Sequence, residues 1–169
     1  MKSNKKLSSD EKKLELKKYR DLVLATIDYY LDNKLIQLRT ADFDSNEHFQ
    51  GLKTQALEHF DKSRLSRLKQ WFRDLTEMQV ETRDFKFNQY LKEKTGYDID
   101  LFQSYNLRVD KIIEKGKITT DNQFYDINMM VDQLSQIEPK DSEKIGTLNK
   151  LLLDYELRKT KKSRPHNNG

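Results

Sequence analysis

Leu16, Tyr19, Val23, Ile27, Tyr30, Leu31, Leu35 and Leu38 follow one another at steps of three and four residues. That spacing lines one face of an α-helix. Ser8 followed by Glu11 makes an S-x-x-E capping box, in which each residue satisfies a free amide of the first turn. The first helix is therefore predicted from Ser8 or Ser9 to near Arg39. A linker, "TADFDSN", leads to a second helix from about Asn46 to Phe60, with Phe49, Leu52, Ala56, Leu57 and Phe60 on one face. The phase slips near Asp61 to Ser63, which predicts a kink or short break.

From about Ser63 to Thr95 the pattern is helical again, stopped by Gly96, the residue suited to the left-handed position past a helix end. This reads as one long central helix, roughly 50 Å at 1.5 Å per residue. Behind Asp98, Leu101, Phe102, Tyr105, Val109, Ile112 and Ile113 predict a helix ending at Gly116. Thr120 and Gln123 form a second capping box for a helix carrying Phe124, Ile127, Val131, Leu134 and Ile137 up to Pro139. A last helix starts near Ser142, places Ile145, Leu148, Leu152 and Tyr155 on one side, and dissolves into "RKTKKSRPHNNG".

These elements predict an all-α, bundle-like domain of five or six helices over residues 9–157, between basic disordered tails at 1–8 and 158–169. A subdivision into 9–95 and 97–157 is the alternative. Composition agrees. Glycine (5) and proline (2) are scarce, and strand-favouring valine is rare. Charged residues reach 36%, against about 25% in ordinary domains. Leu, Ile, Val and Phe still make up about a quarter of the chain, above the roughly 20% below which chains fail to fold.

Charge changes the picture more. The formal net charge is +4, but it is unevenly placed. Residues 1–20 and 157–169 each carry an excess of five positive charges, whereas 21–156 hold 19 basic and 25 acidic residues. An acidic body repels nucleic acid, so any phosphate contact must come from the ends or from a local patch. Residues 61–95 are the internal stretch with positive balance, 9 basic against 6 acidic.

On a helical wheel, Leu65, Leu68, Trp71, Phe72, Leu75 and Met78 fall within about 140°, an ordinary core stripe, while Arg67, Lys69 and Arg73 scatter around the other side. Trp71 is thus expected to anchor a core or interface rather than stack on a base. Val80, Phe87 and Leu91 line up opposite that stripe. A helix apolar on two sides is either buried through the middle of the domain or presents a partner surface, so these three residues are the candidate protein interface.

Chemistry is sparse. His48, His59 and His166 include no pair spaced to face one metal, and there is no cysteine. The stretch from Asp42 imitates a calcium loop, but Glu47 stands where the turn needs glycine and Lys53 where the bidentate acid belongs. No phosphate loop, nucleophile elbow or zinc-protease motif occurs, and no cofactor or metal is expected. No apolar run is long enough to cross a bilayer, and no export signal is seen, so a cytoplasmic protein is expected.

The reading is a non-enzymatic protein–protein interaction module, with a protein partner or self-association through Val80, Phe87 and Leu91. The alternative is a nucleic-acid-associated protein whose basic ends act as electrostatic arms. Its candidate contacts are Lys2, Lys5, Lys6, Lys159, Lys161, Lys162 and Arg164, with Arg67, Lys69 and Arg73 as a third point.

Overall fold

The computed structural model describes residues 6–164, and Lys2 and Lys5 lie outside them. Among the described residues there are seven α-helices and no strand beyond an isolated antiparallel bridge between Arg39 and Asp44. The helices are α1 (Ser9–Asp32), α2 (Ser45–Asp61), α3 (Leu65–Glu81), α4 (Phe85–Thr95), α5 (Gln103–Lys115), α6 (Asp121–Ser135) and α7 (Ser142–Ser163). The all-α, bundle-like class is as the periodicity predicts. Among the described residues no helix is long and apolar enough to cross a membrane.

The chain forms two compact units. The first runs to Thr82 and takes in Phe87–Ile99; the second comprises Arg83–Lys86 and everything from Asp100 onward.

In the first unit, α1 packs against α2 and α3. The capping box that starts α1 is formed: the Ser8 amide donates to Glu11 Oε2 at 2.7 Å, and the Glu11 amide to Ser8 Oγ at 3.2 Å. Leu22, Val23, Ile27, Leu68, Phe87 and Leu91 are wholly buried in this unit. Phe72 meets Tyr19 edge-on at 5.9 Å, and Tyr30 stacks on Phe49 at 5.3 Å. The buried Tyr30 hydroxyl lies within donating distance of two acceptors, Gln79 Oε1 (3.2 Å) and the Leu75 carbonyl (3.1 Å), so its proton has a partner inside the core.

The second unit closes around Val109, Ile118, Ile127, Met130 and Leu148, with Phe102, Tyr105, Ile112 and the α7 leucines around them. Arg83 holds Asp126 at 2.7 Å and lies 4.4 Å from the centre of the Tyr105 ring. Burial pushes the Tyr105 hydroxyl up to about 12. At the end of α5, Gly116 adopts a left-handed φ of 68°, and its amide reaches the Ile112 and Ile113 carbonyls.

Three expectations are corrected. First, α1 ends at Asp32, not near Arg39. The Asn33 side chain and amide both donate to the Tyr29 carbonyl, and Lys34 turns into the left-handed region at φ 49°. Leu35 and Leu38, which extended the stripe, are exposed in the loop that follows.

Second, the long central helix is two helices. At the join, Thr82 Oγ1 donates to the Met78 carbonyl, and Arg83 turns left-handed at φ 53°. The break near Ser63 predicted from the phase slip is present, with Ser63 at φ 52°.

Third, α7 continues through Ser163 instead of dissolving near residue 157. Lys and Arg are good helix formers and their charge suits a helix C-terminus. Arg158 donates to the Ile118 carbonyl, and Lys159 pairs with Asp121 at 2.6 Å.

Candidate anion-binding groove

Of the three residues marked as a candidate protein interface, two are buried inside the first unit. Phe87 and Leu91 are 0% exposed, and the Phe87 ring packs 4.9 Å from that of Tyr29. Val80 alone of the three is exposed, at 40%. The physical reason is the break at Thr82–Asp84: two helices with different phases each bury their own stripe, so neither needs a second apolar face.

The basic residues are dispersed in the same way. Lys69 is engaged by Glu15 at 3.1 Å and lies 5.1 Å from the Tyr19 ring centre. Lys159 is held by Asp121, whose carboxyl is kept below its ordinary value by hydrogen bonds from Lys159 and Tyr155. Lys162 borders a smaller depression beside Lys159 in the second unit. Lys6, Arg73, Lys161 and Arg164 are exposed on the surface.

Arg67 has company. It lines a groove of roughly 810 Å³ in the first unit, between the opening turns of α1 and the start of α3. One wall carries Ser9, Lys12 and Lys13, and the other Ser63, Arg64, Ser66, Arg67 and Gln70. The half-buried Leu16 and Leu65 form its apolar part. Among the described residues, four cations therefore face one space, and no carboxylate lines it.

Of the acids in the opening turns of α1, Glu11 is bound to Ser8, which lowers its pKa, and Glu15 to Lys69, while Asp10 stands beside Ser9. None of Lys12, Lys13, Arg64 and Arg67 is in an ion pair with a described residue.

Chain geometry assembles this. The 17 residues of α2 carry the chain away from and back along α1, so α3 begins at the end where α1 begins. Both helices thus begin at the groove; α3 adds a partial positive charge of about half a unit, whereas that of α1 is met by Asp10 and Glu11 in its first turn. α3 has no side chain capping its first amides and no acid in its first turn.

His59 stands close by. Its ring meets Trp71 edge-on at 5.0 Å, its Nδ1 is buried with no hydrogen-bond partner, and its carbonyl accepts from the Arg64 amide at 2.9 Å. Burial first, then Arg64 and Arg67, hold its pKa below the ordinary 6.5.

Lys12, Lys13, Arg64 and His59 escape the sequence pattern. Lys12 and Lys13 belong to the basic first twenty residues, which was the available signal. Their convergence with Arg64 and Arg67, about fifty residues on, is a product of tertiary packing. Among the described residues, no three His, Cys, Asp or Glu side chains gather as a metal-holding group. No protein-family model, no curated protein and no solved structure matches the chain.

Proposed function

We propose that this protein is a non-enzymatic interaction module that holds an anionic partner in the groove between α1 and α3. The observation that carries the reading is the set of four cations, Lys12, Lys13, Arg64 and Arg67, without an ion-pair partner among the described residues, around a space that no described carboxylate lines. Like charges held together on a surface repel, and a bound anion relieves that repulsion. The arginines add planar, multi-donor recognition that lysine cannot.

The test is titration with two simple polyanions, polyglutamate and inorganic polyphosphate, at low salt, comparing the wild type with the Arg64→Ala/Arg67→Ala double variant. Binding of at least one polyanion that falls about tenfold or more in the variant, a change of about 1.4 kcal/mol, supports the reading. Absence of binding, or a variant that binds as well as the wild type, overturns it. Both arginines are exposed, so the double variant should keep its fold by circular dichroism.

A second reading has its own observation. Leu35, Ile36, Leu38 and Phe43, all exposed, sit in the connection between α1 and α2. Such an apolar loop suits a protein partner or a second copy of the chain. Sedimentation of the wild type and of Leu38→Asp tests it: self-association that the substitution removes supports the loop as the contact, and a wild-type monomer argues against self-association.

A further inference from the structure

We propose that the groove's occupant is the sugar–phosphate backbone of a nucleic acid, held through its phosphates without readout of its bases. This rests on the anionic-partner reading and names the ligand.

The donor set comes first. Serine hydroxyls, lysine ammonium groups and arginine guanidinium groups on the two walls are the chemistry that contacts phosphate and sugar in nucleic-acid complexes. Arg64, just before the first residue of α3, and Arg67 in its first turn each carry a guanidinium that can take a phosphate oxygen pair. Lys12 and Lys13 supply charge from the opposite wall.

The apolar content argues against an acidic protein. Protein interfaces concentrate their affinity in buried aromatic and aliphatic anchors set in pockets. This groove has only Leu16 and Leu65, both half-buried, and no aromatic ring lines it. An acidic peptide would find charge there but no anchor. The same lack of rings removes the stacking platform on which single-strand binders hold bases. Recognition therefore stops at the backbone.

Charge elsewhere limits the footprint. Because residues 21–156 carry more acid than base, a strand leaving the groove meets repulsion and few phosphates can be neutralised. Four contacts with a duplex give a slope of log K against log salt of about −3 to −4.

The experiment is fluorescence anisotropy with the full chain over a series of salt concentrations. The probes are a labelled short single strand, a duplex in two base compositions, and a labelled polyglutamate peptide of matched charge. The proposal expects nucleic acid to bind at least about tenfold more tightly than polyglutamate. It also expects indifference to base composition, and a salt slope about two units shallower in the Lys12→Ala/Lys13→Ala variant.

Polyglutamate binding as tightly as nucleic acid would overturn the inference and leave the anionic-partner reading standing. Failure of every polyanion to bind would overturn both. An unchanged salt slope in the lysine variant, with folding confirmed by circular dichroism, would remove the groove as the nucleic-acid site.

Discussion

Replacing Phe87 with alanine should cost the first unit about 3–5 kcal/mol, and the structure says why. The side chain is wholly buried, and its ring packs against Tyr29 at 4.9 Å. Loss of the buried ring removes about 1.5–3 kcal/mol of transfer free energy. The cavity left behind brings the usual total for a buried phenylalanine to about 3–5 kcal/mol. A small domain is stable by about 5–15 kcal/mol, so the variant should fold but melt far earlier.

Urea unfolding followed by tryptophan fluorescence is the natural assay, because Trp71 is the sole tryptophan and belongs to the first unit. With a slope of about 2 kcal/mol per molar urea, the midpoint should fall by roughly 1.5–2.5 M. A loss under about 1 kcal/mol, the size expected of a surface position, would show that Phe87 is not part of a packed core. If the wild type also associates and the variant does not, the interface assignment would be restored.

Tyr30→Phe removes the hydroxyl that meets Gln79 Oε1 and the Leu75 carbonyl inside the core, and should cost about 1–3 kcal/mol in the same urea assay. No loss would mean that Gln79 has another partner. Lys34→Gly should leave stability unchanged or raise it by up to about 1 kcal/mol. The exposed Lys34 holds a left-handed φ of 49°, which costs L-residues roughly 1–2 kcal/mol, partly offset by glycine's freer unfolded chain. A clear loss in thermal melting would refute the assigned backbone.

His59 supplies a pH dependence. Its folded pKa lies below 6.5 because of burial, then Arg64 and Arg67, with Lys62 adding to and Glu58 opposing the effect. The unfolded chain therefore binds more protons in the interval below 6.5. The stability this histidine contributes is full above 6.5 and is lost as pH falls through that interval to the folded value. His59→Gln should flatten this part of the stability profile. Trp71 fluorescence, sensitive to the adjacent ring, should titrate below 6.5 in the wild type, and a midpoint at or above that value would contradict the assignment.

Much of the fold was legible because helix signals are local. The Ser8–Glu11 box, Gly96, Gly116 and the Thr120 cap all act within a few residues of where they stand, and each marks an element end at or near its observed position. Two of the misread ends, at Lys34 and Arg83, lack glycine or proline. There, residues with no special liking for left-handed backbone adopt it; the Lys34 amide donates to the Leu31 carbonyl, and the Arg83 side chain is held by Asp126.

The apparent two-sided helix was itself the missed signal. Two apolar stripes of different phase in one window mark two helices, and the phase shift between Met78 and Phe87 is that mark. Within the groove, Arg67 stands on a helix whose own bases scatter around the wheel. Its meaning depends on Lys12, Lys13 and Arg64, which only the packing of α1 against α3 brings near. Periodicity identifies which side of a helix faces inward, but not which two outer sides share a cleft.

The most direct test of the groove is an amide chemical-shift titration of the full chain with a short single-stranded oligonucleotide, under conditions where inorganic phosphate is absent. The account predicts saturable shifts concentrated at Ser9, Lys12, Lys13 and Ser63 to Arg67, with a smaller response at His59. Shifts centred instead on Lys159 to Arg164 at the end of α7, or none that saturate, would contradict it.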